Sequence, residues 1–223
     1  MRVLDLSQPL DETTVLWPDS APFRADAQPR YDVDGFWWRD LSFAEHSGTH
    51  LDAPSHCVEG GAMVADIPAE RLVRPAVRID ARALCGGDPG WVLGAADVQA
   101  WEARNGRVPA GAAVLLCTGW DEYLGDAERY MGYPLAFPGF GVDAAALLVE
   151  RGAAGLGIDT LSVDAGAAAD FPVHFVSLGA GLWHLEGLVG LDAVPDVGAT
   201  VVAGALRLPN ASGTPARAFA LLP

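Results

Sequence analysis

Apolar residues along this chain fall in short runs separated by glycine and proline. Runs of this length, either continuous or alternating with polar residues, are typical of β-strands. The pattern predicts strands over residues 2–7, 36–44, 75–81, 112–120, 155–159, 200–209 and 216–222. The sequence NASGTP, residues 210–215, lies between the last two and is rich in turn-forming residues, which predicts a closing hairpin.

Helical periodicity is less frequent. It predicts helices over 93–104 and 142–150, and a third over 177–188 that Gly179 and Gly181 weaken. Residues 121–141 are aromatic and contain glycine and proline, which predicts a long loop. Strands mixed with a few helices in a chain of 223 residues predict an α/β fold, with one compact domain over 1–223.

Composition and charge narrow the function. The 29 acidic residues outnumber the 14 basic residues, the net charge is −15, and the basic residues are scattered. We therefore expect no binding to nucleic acid. No apolar run approaches the roughly 20 residues that span a bilayer, and the N-terminus lacks the pattern of a signal peptide, so we expect a cytoplasmic protein with no membrane partner.

One segment gathers three of the five histidines: HSGTHLDAPSH, residues 46–56. Glycine and proline within it disfavour a continuous helix, so an extended segment is expected. In an extended chain alternate side chains share a face. Four polar residues lie at even positions and therefore on one face: His46, His50, Asp52 and His56.

Such a segment must bend to surround one ion. Eleven extended residues stretch over about 33 Å, whereas ligands lie about 2.0–2.2 Å from an ion. Gly48 and Pro54 stand where the chain can bend, on either side of His50 and Asp52. Imidazole with carboxylate suits Zn, Mn, Fe or Co. We therefore favour a metal or acid/base site over a hydrogen-bonded polar cluster.

Further ligands must come from elsewhere in the chain. His174 and His184 are the remaining histidines, and Glu186 lies near them. If 177–188 is a helix, Glu186 projects from its last turns and His174 precedes its first, so both can face one site. A solvated carboxylate at a helix end is an equally good interpretation. Asp159, Ser162 and Asp164 follow a predicted strand and either border a site or cap a turn.

At every fixed position the segment matches HxGTHxDxPxH, and it thereby resembles the signature of the cyclase-like metal-dependent hydrolase family. Members of that family include bacterial-type kynurenine formamidases and isatin hydrolases. The similarity extends to LWPDS at 16–20, to GIDTLSVD at 157–164, and to a histidine followed twelve residues later by the glutamate of LEGL. It spans nearly the whole chain.

The resemblance implies a compact, mixed-sheet swivelling β/β/α domain with one or two divalent ions, Zn or Mn. One ion would be bound by His46, His50 and Asp52. The second would be bound by Asp52, His174 and Glu186. The resemblance further implies that Asp52 and Glu186 bridge the two ions. Mononuclear and trinuclear sites remain alternatives, because a sequence counts ligands and not ions.

The resemblance also implies a general acid/base, His56, a residue lining the substrate pocket, Trp17, and a homodimer or higher homo-oligomer. The expected reaction cleaves a C–N bond of a small aromatic amide or formamide, with N-formylkynurenine as one candidate substrate. The alternatives are a cyclic amide or lactone, as in isatin hydrolases, and a metal-binding homologue without turnover. Cys57, Trp183 and His184 depart from the residues expected in kynurenine formamidases, which points to an altered pocket.

Overall fold

The computed structural model describes residues 1–26 and 30–223. Its strands are β1 (Arg2–Asp5), β2 (Arg24–Asp26), β3 (Asp40–Ser42), β4 (His50–Asp52), β5 (Val73–Asp80), β6 (Val92–Leu93), β7 (Ala113–Cys117), β8 (Gly139–Phe140), β9 (Gly155–Ile158), β10 (Trp183–Glu186), β11 (Ala199–Ala205) and β12 (Gly213–Leu222). Its α-helices are α1 (Tyr31–Asp34), α2 (Arg82–Cys85), α3 (Ala95–Asn105), α4 (Ala127–Met131), α5 (Val142–Glu150) and α6 (Pro172–Gly179). No helix within the described ranges is long and apolar enough to cross a membrane.

The main sheet closes on itself. Seven strands follow the order β12-β11-β5-β7-β9-β10-β4, and β4 pairs back to the first half of β12, while β1 pairs with the second half of β12. Strands β5, β7, β9 and β10 are parallel to one another, and the remaining pairings in the ring are antiparallel. A barrel-like ring of this kind leaves few backbone groups unpaired at a sheet edge.

Two apolar layers follow from strand alternation. Leu115 and Leu185 belong to the cluster that fills the ring, whereas the next residue along β7, Leu116, packs with Leu148 of α5 on the outer side. Successive side chains of a strand point to opposite faces of the sheet, so a strand such as β7 is apolar on both faces. The mixed α/β fold predicted from the sequence is confirmed.

Two of the three predicted helices are confirmed, over 142–150 and, with small shifts, over 93–104. The third is wrong. Helix α6 begins at Pro172, whose fixed φ suits the first turn, and the chain then turns at Gly181, where φ is 82°. Residues 183–186 form strand β10. His174 therefore lies inside a helix, and Glu186 lies at the end of a strand.

Two other expectations need correction. The predicted strand over 36–44 is reduced to Asp40–Ser42, which pairs with β2 outside the main sheet, and three of its aromatic residues, Phe36, Trp37 and Trp38, are exposed. The predicted loop over 121–141 contains α4 and β8. The predicted closing hairpin is confirmed, because β11 and β12 pair antiparallel.

Candidate metal centre

Two neighbouring strands supply the centre of the histidine and carboxylate cluster. In the antiparallel pairing of β4 with β10, His184 lies opposite Asp52 and Glu186 lies opposite His50. Residues directly opposite each other in a sheet project to the same face. Leu51, between the two polar residues of β4, points the other way into the core of the ring. Alternation and register together therefore place four polar side chains on one face.

The bends expected from the sequence bring the ends of the motif back to this face. Gly48 adopts a left-handed φ of 60°, and Pro54 begins a 3-10 helix that ends at His56. The ring centroids of His46 and His56 lie 4.0 Å apart. His46 Nδ1 is 2.6 Å from Asp52 Oδ1, which is a hydrogen-bond distance. The four even-numbered side chains thus meet, and the ligand role of His46 stays a prediction.

His174 enters the cluster from the first turns of α6. The carboxylate of Asp164 accepts hydrogen bonds from the backbone N–H of Val173, the backbone N–H of His174 and, at 2.7 Å, His174 Nδ1. This fixes the ring so that Nε2 lies 3.6 Å from Asp52 Oδ2 and 3.5 Å from Glu186 Oε1. A carboxylate that orients a histidine in this way is common at metal sites.

Each of the two central carboxylates uses its two oxygens differently. Asp52 Oδ1 and Glu186 Oε2 both lie 3.3 Å from His50 Nε2. Asp52 Oδ2 and Glu186 Oε1 instead face His174. His50 donates its Nδ1–H to the Gly48 carbonyl at 3.0 Å, which leaves Nε2 directed at the carboxylates. Each carboxylate therefore reaches both imidazoles, one with each oxygen, and a bridging role for the two carboxylates stays a prediction.

The donor atoms fit a first-row divalent ion. Ligands placed tetrahedrally about 2.0–2.2 Å from one ion lie roughly 3.3–3.6 Å from one another, and the separations of His50 and His174 from the carboxylates are 3.3–3.6 Å. Asp52 Oδ2 is fully buried and has no hydrogen-bond partner among the described residues. A buried carboxylate oxygen without a partner is costly unless a cation balances it.

The pKa values of the buried groups in the cluster also indicate a site for a cation. Burial opposes the charged form of His50, yet the carboxylates of Asp52 and Glu186 outweigh it and raise the pKa of His50 to about 10. Burial also opposes the charged form of Asp52, but the surrounding imidazoles, that of His50 first, hold its pKa well below the usual range. The cluster therefore attracts cations, and an ion would compete with protons for the imidazole nitrogens.

His56 lies at the edge of this cluster, and its side chain is exposed toward an adjoining cavity. Partial burial of the ring outweighs the attraction of Asp52 and lowers the pKa of His56 to about 4. The imidazole is therefore neutral near pH 7 and able to accept a proton.

A cavity of about 390 Å³ opens beside the cluster, within the range that holds small molecules. Trp17 lies in its wall, with its ring 5.6 Å from Phe171 and 6.4 Å from Phe137. The full lining is Val15, Trp17, Ser20, His46, Gly48, His50, His56, Cys57, Leu161, Ser162, Phe171, His174 and Glu186. The cavity thus joins apolar walls to a polar, cation-attracting floor.

Residues 4–165 match the family model described as putative cyclase. The chain belongs to this cyclase family. A curated relative, the isatin hydrolase of Roseibium aggregatum, is 34% identical over 206 residues, which cover 86% of this chain and 78% of the relative. The kynurenine formamidase of Bacillus cereus is 30% identical over 216 residues, covering 96% of this chain and 95% of the relative.

Solved structures extend the likeness to the whole fold. Isatin hydrolase A from Ralstonia solanacearum has a TM-score of 0.93 and 35% identity, covering 100% of this chain and 92% of that one. A structure described as a potential metal-dependent hydrolase with cyclase activity has a TM-score of 0.78 and 25% identity, covering 98% of this chain and 96% of that one. The family expected from the sequence is confirmed, and the relatives are hydrolases.

Three residues of this cyclase-family site have little or no signal in the sequence. Asp164 is open there to two interpretations, a site border or a turn cap, and only its hydrogen bonds to His174 reveal its role. Phe171 carries no motif; it adopts a left-handed φ of 47° and lies in the cavity wall. His184 stands out in the sequence only as one of the two remaining histidines and as a departure from kynurenine formamidases, although the alternation in WHLE places it on the same face of a strand as Glu186.

Proposed function

We propose that this protein is a metal-dependent hydrolase that cleaves the C–N bond of a small aromatic amide. The observation that carries the proposal is the pair of buried carboxylates, Asp52 and Glu186, each of which directs its two oxygens at different imidazoles on the floor of an aromatic-walled cavity. Asp52 and Glu186, with His46, His50 and His174, are the proposed ligands of one or two divalent ions, Zn or Mn.

The chain's own groups match the needs of amide hydrolysis. Divalent ions bound there would lower the pKa of a water molecule and polarise the substrate carbonyl. His56, neutral and at the cavity edge, would accept a proton from the attacking water and return it to the departing nitrogen, which must be protonated to leave. Asp164 would hold His174 in one orientation throughout.

The cavity wall favours an aromatic substrate. Trp17 and Phe171 present ring faces and edges about the space above the cluster, and aromatic rings pair with such surfaces. N-formylkynurenine and isatin are both aromatic amides, one open and one cyclic. The relatives named kynurenine formamidase and isatin hydrolase support testing these two first.

The test is hydrolysis of both amides by chelator-stripped protein that is then resupplied separately with Zn and with Mn. The proposal expects no turnover in the stripped protein and restored turnover of at least one amide after resupply. An aromatic lactone in the same panel separates amide from ester preference. If the protein binds metal but hydrolyses no member of the panel, the hydrolase proposal is wrong and the protein is a metal-binding homologue without turnover.

Trp17→Ala is expected to raise KM for the aromatic amide roughly three- to tenfold, the size of one lost aromatic contact, with kcat and metal content little changed. Steady-state kinetics and elemental analysis measure both. Trp17→Phe is the matched control, since it keeps a ring at this position and should retain most of the affinity. Unaltered kinetics in Trp17→Ala would make Trp17 a packing residue only.

A homodimer or higher homo-oligomer is the proposed assembly. Residues 31–38, which lie between β2 and β3, expose several large apolar side chains, which a monomer rarely leaves in water. They include Tyr31, Val33, Phe36, Trp37 and Trp38. Light scattering coupled to size exclusion should give at least twice the 23.3 kDa of one chain, and Trp37→Ser should shift the mass toward that of the monomer. A wild-type mass of one chain would contradict the assembly.

A further inference from the structure

We propose that His184 is a metal ligand, and that its Nδ1 completes a four-donor site deep in the cluster. The inner donor set is defined as Asp52 Oδ2, His174 Nε2, His184 Nδ1 and Glu186 Oε1. One atom from each of these four residues lies within 4.8 Å of one atom from each of the others, and all four residues are buried. The inference rests on the proposed function for the presence of divalent ions, and of its two alternatives it takes two ions per chain.

Hydrogen bonding settles which nitrogen of His184 is free. Ser177 Oγ donates its single hydrogen to the Val173 carbonyl at 2.6 Å, so it can only accept from His184 Nε2, which lies 2.7 Å away. The proton of the neutral ring is therefore on Nε2. Nδ1 carries a lone pair and points into the cluster.

That lone pair has no partner. His184 Nδ1 is fully buried and without a hydrogen bond among the described residues, and so is the oxygen that it faces, Asp52 Oδ2, at 3.6 Å. Two buried acceptors that face each other without a hydrogen-bond donor are costly. A shared cation satisfies both, and 3.6 Å is at the upper end of the roughly 3.3–3.6 Å that separates two ligands of one tetrahedral ion.

The strands and helix fix the remaining geometry. Register places His184 opposite Asp52, and its ring meets that of His174 edge to face, with centroids 4.7 Å apart and planes at 89°. The two imidazoles converge on the carboxylates from different directions instead of stacking. Two nitrogens and two oxygens from four buried residues form the donor pattern of a zinc site; His174 and Glu186 also line the cavity, whereas Asp52 and His184 do not.

The experiment counts ions and their ligands. Metal-free protein is titrated with Co²⁺, followed by visible absorption and by elemental analysis after dialysis. Wild-type protein should bind two ions per chain and His184→Leu only one. Ser177→Ala is the matched control: it removes the partner of Nε2 but leaves Nδ1, so it should keep two ions, with one weakened by about tenfold.

Direct ligation has its own signature. In His184→Cys, a thiolate bound to Co²⁺ gives a sulfur-to-metal charge-transfer band in the near ultraviolet, which a cysteine that only fills space does not give. X-ray absorption on zinc-loaded wild-type protein supplies a measurement without any variant. If His184 is a ligand, this measurement should count four imidazoles per pair of ions. If His184 is not a ligand, it should count three.

The inference is overturned if folded His184→Leu still binds two ions with unchanged affinity, if folded His184→Cys gives no charge-transfer band with Co²⁺, or if X-ray absorption counts three imidazoles. Should the leucine variant fail to fold, the wild-type imidazole count decides. Failure of the hydrolase proposal looks different: wild-type protein would bind its ions with the expected ligands and yet hydrolyse no amide of the panel.

Discussion

Asp52→Ala should remove both ions from the protein and abolish hydrolysis. Both oxygens of this carboxylate are directed at imidazoles, Oδ1 at His50 and Oδ2 at His174 and His184. Because Asp52 would contribute to both ions, its loss should weaken each by more than the roughly 10- to 100-fold that removal of a supporting group costs. Elemental analysis of dialysed protein should then find less than one ion in total.

The chain offers a matched control for losing a buried carboxylate. Asp159 is also fully buried, and burial raises its pKa to about 7, but its oxygens accept hydrogen bonds from Thr118 and Gly119, away from the cluster. Asp159→Asn should therefore keep both ions. If Asp52→Ala retained one tightly bound ion while losing the other, Asp52 would not bridge, and the two-ion arrangement would have to be replaced by separate sites.

Local patterns predict much of the fold, and long-range pairing supplies the rest. The helix over 142–150 has the same bounds in sequence and structure, because its apolar stripe packs against the sheet whatever lies around it. Closure of the ring depends on β4 pairing with β12, strands that are far apart in the chain. The hydrophobic periodicity of a strand does not indicate which distant strand it pairs with.

The site residues also divide into those that a local pattern predicts and those that only strand pairing brings together. The spacing of His50 and Asp52 predicts a shared face, and the structure puts both on one side of β4. Glu186 lies on a strand instead of the predicted helix, yet it reaches the same cluster. The difference matters, since a helix gives no reason to place His184 beside Glu186, whereas strand alternation requires it.

Two residues of the site, Asp164 and Phe171, take their places through tertiary contacts that the sequence does not indicate. Asp164 orients His174 because the loop after β9 meets the first turn of α6, a meeting that depends on tertiary structure. Phe171 reaches the cavity through a left-handed backbone conformation that sequence rules assign to glycine or asparagine. Such residues are found only when the surrounding packing is known.

His56→Ala should lower kcat by about 10²- to 10⁴-fold while leaving the metal content at the wild-type value. This is the range contributed by a positioned acid/base group. The ring of His56 is tilted by 34° against that of His46, with centroids 4.0 Å apart, and lies 5.6 Å from the ring of His174, at the cavity edge and not between the carboxylates. Steady-state kinetics with elemental analysis on the same samples measure both quantities.

The comparison that decides the role of His56 is with His50→Ala. The Nε2 atom of His50 faces both carboxylates, so removing this ring should release an ion. His46, Asp52 and His56 also offer atoms within 4.8 Å of one another, so His56 is itself close enough to be considered as a ligand. If His56→Ala loses metal to the same extent as His50→Ala, His56 is a ligand, and the proton acceptor must be sought elsewhere in the cavity. If the ions remain and turnover alone falls, the division between ion-binding and proton-transferring histidines holds, since the two variants would then fail at different steps.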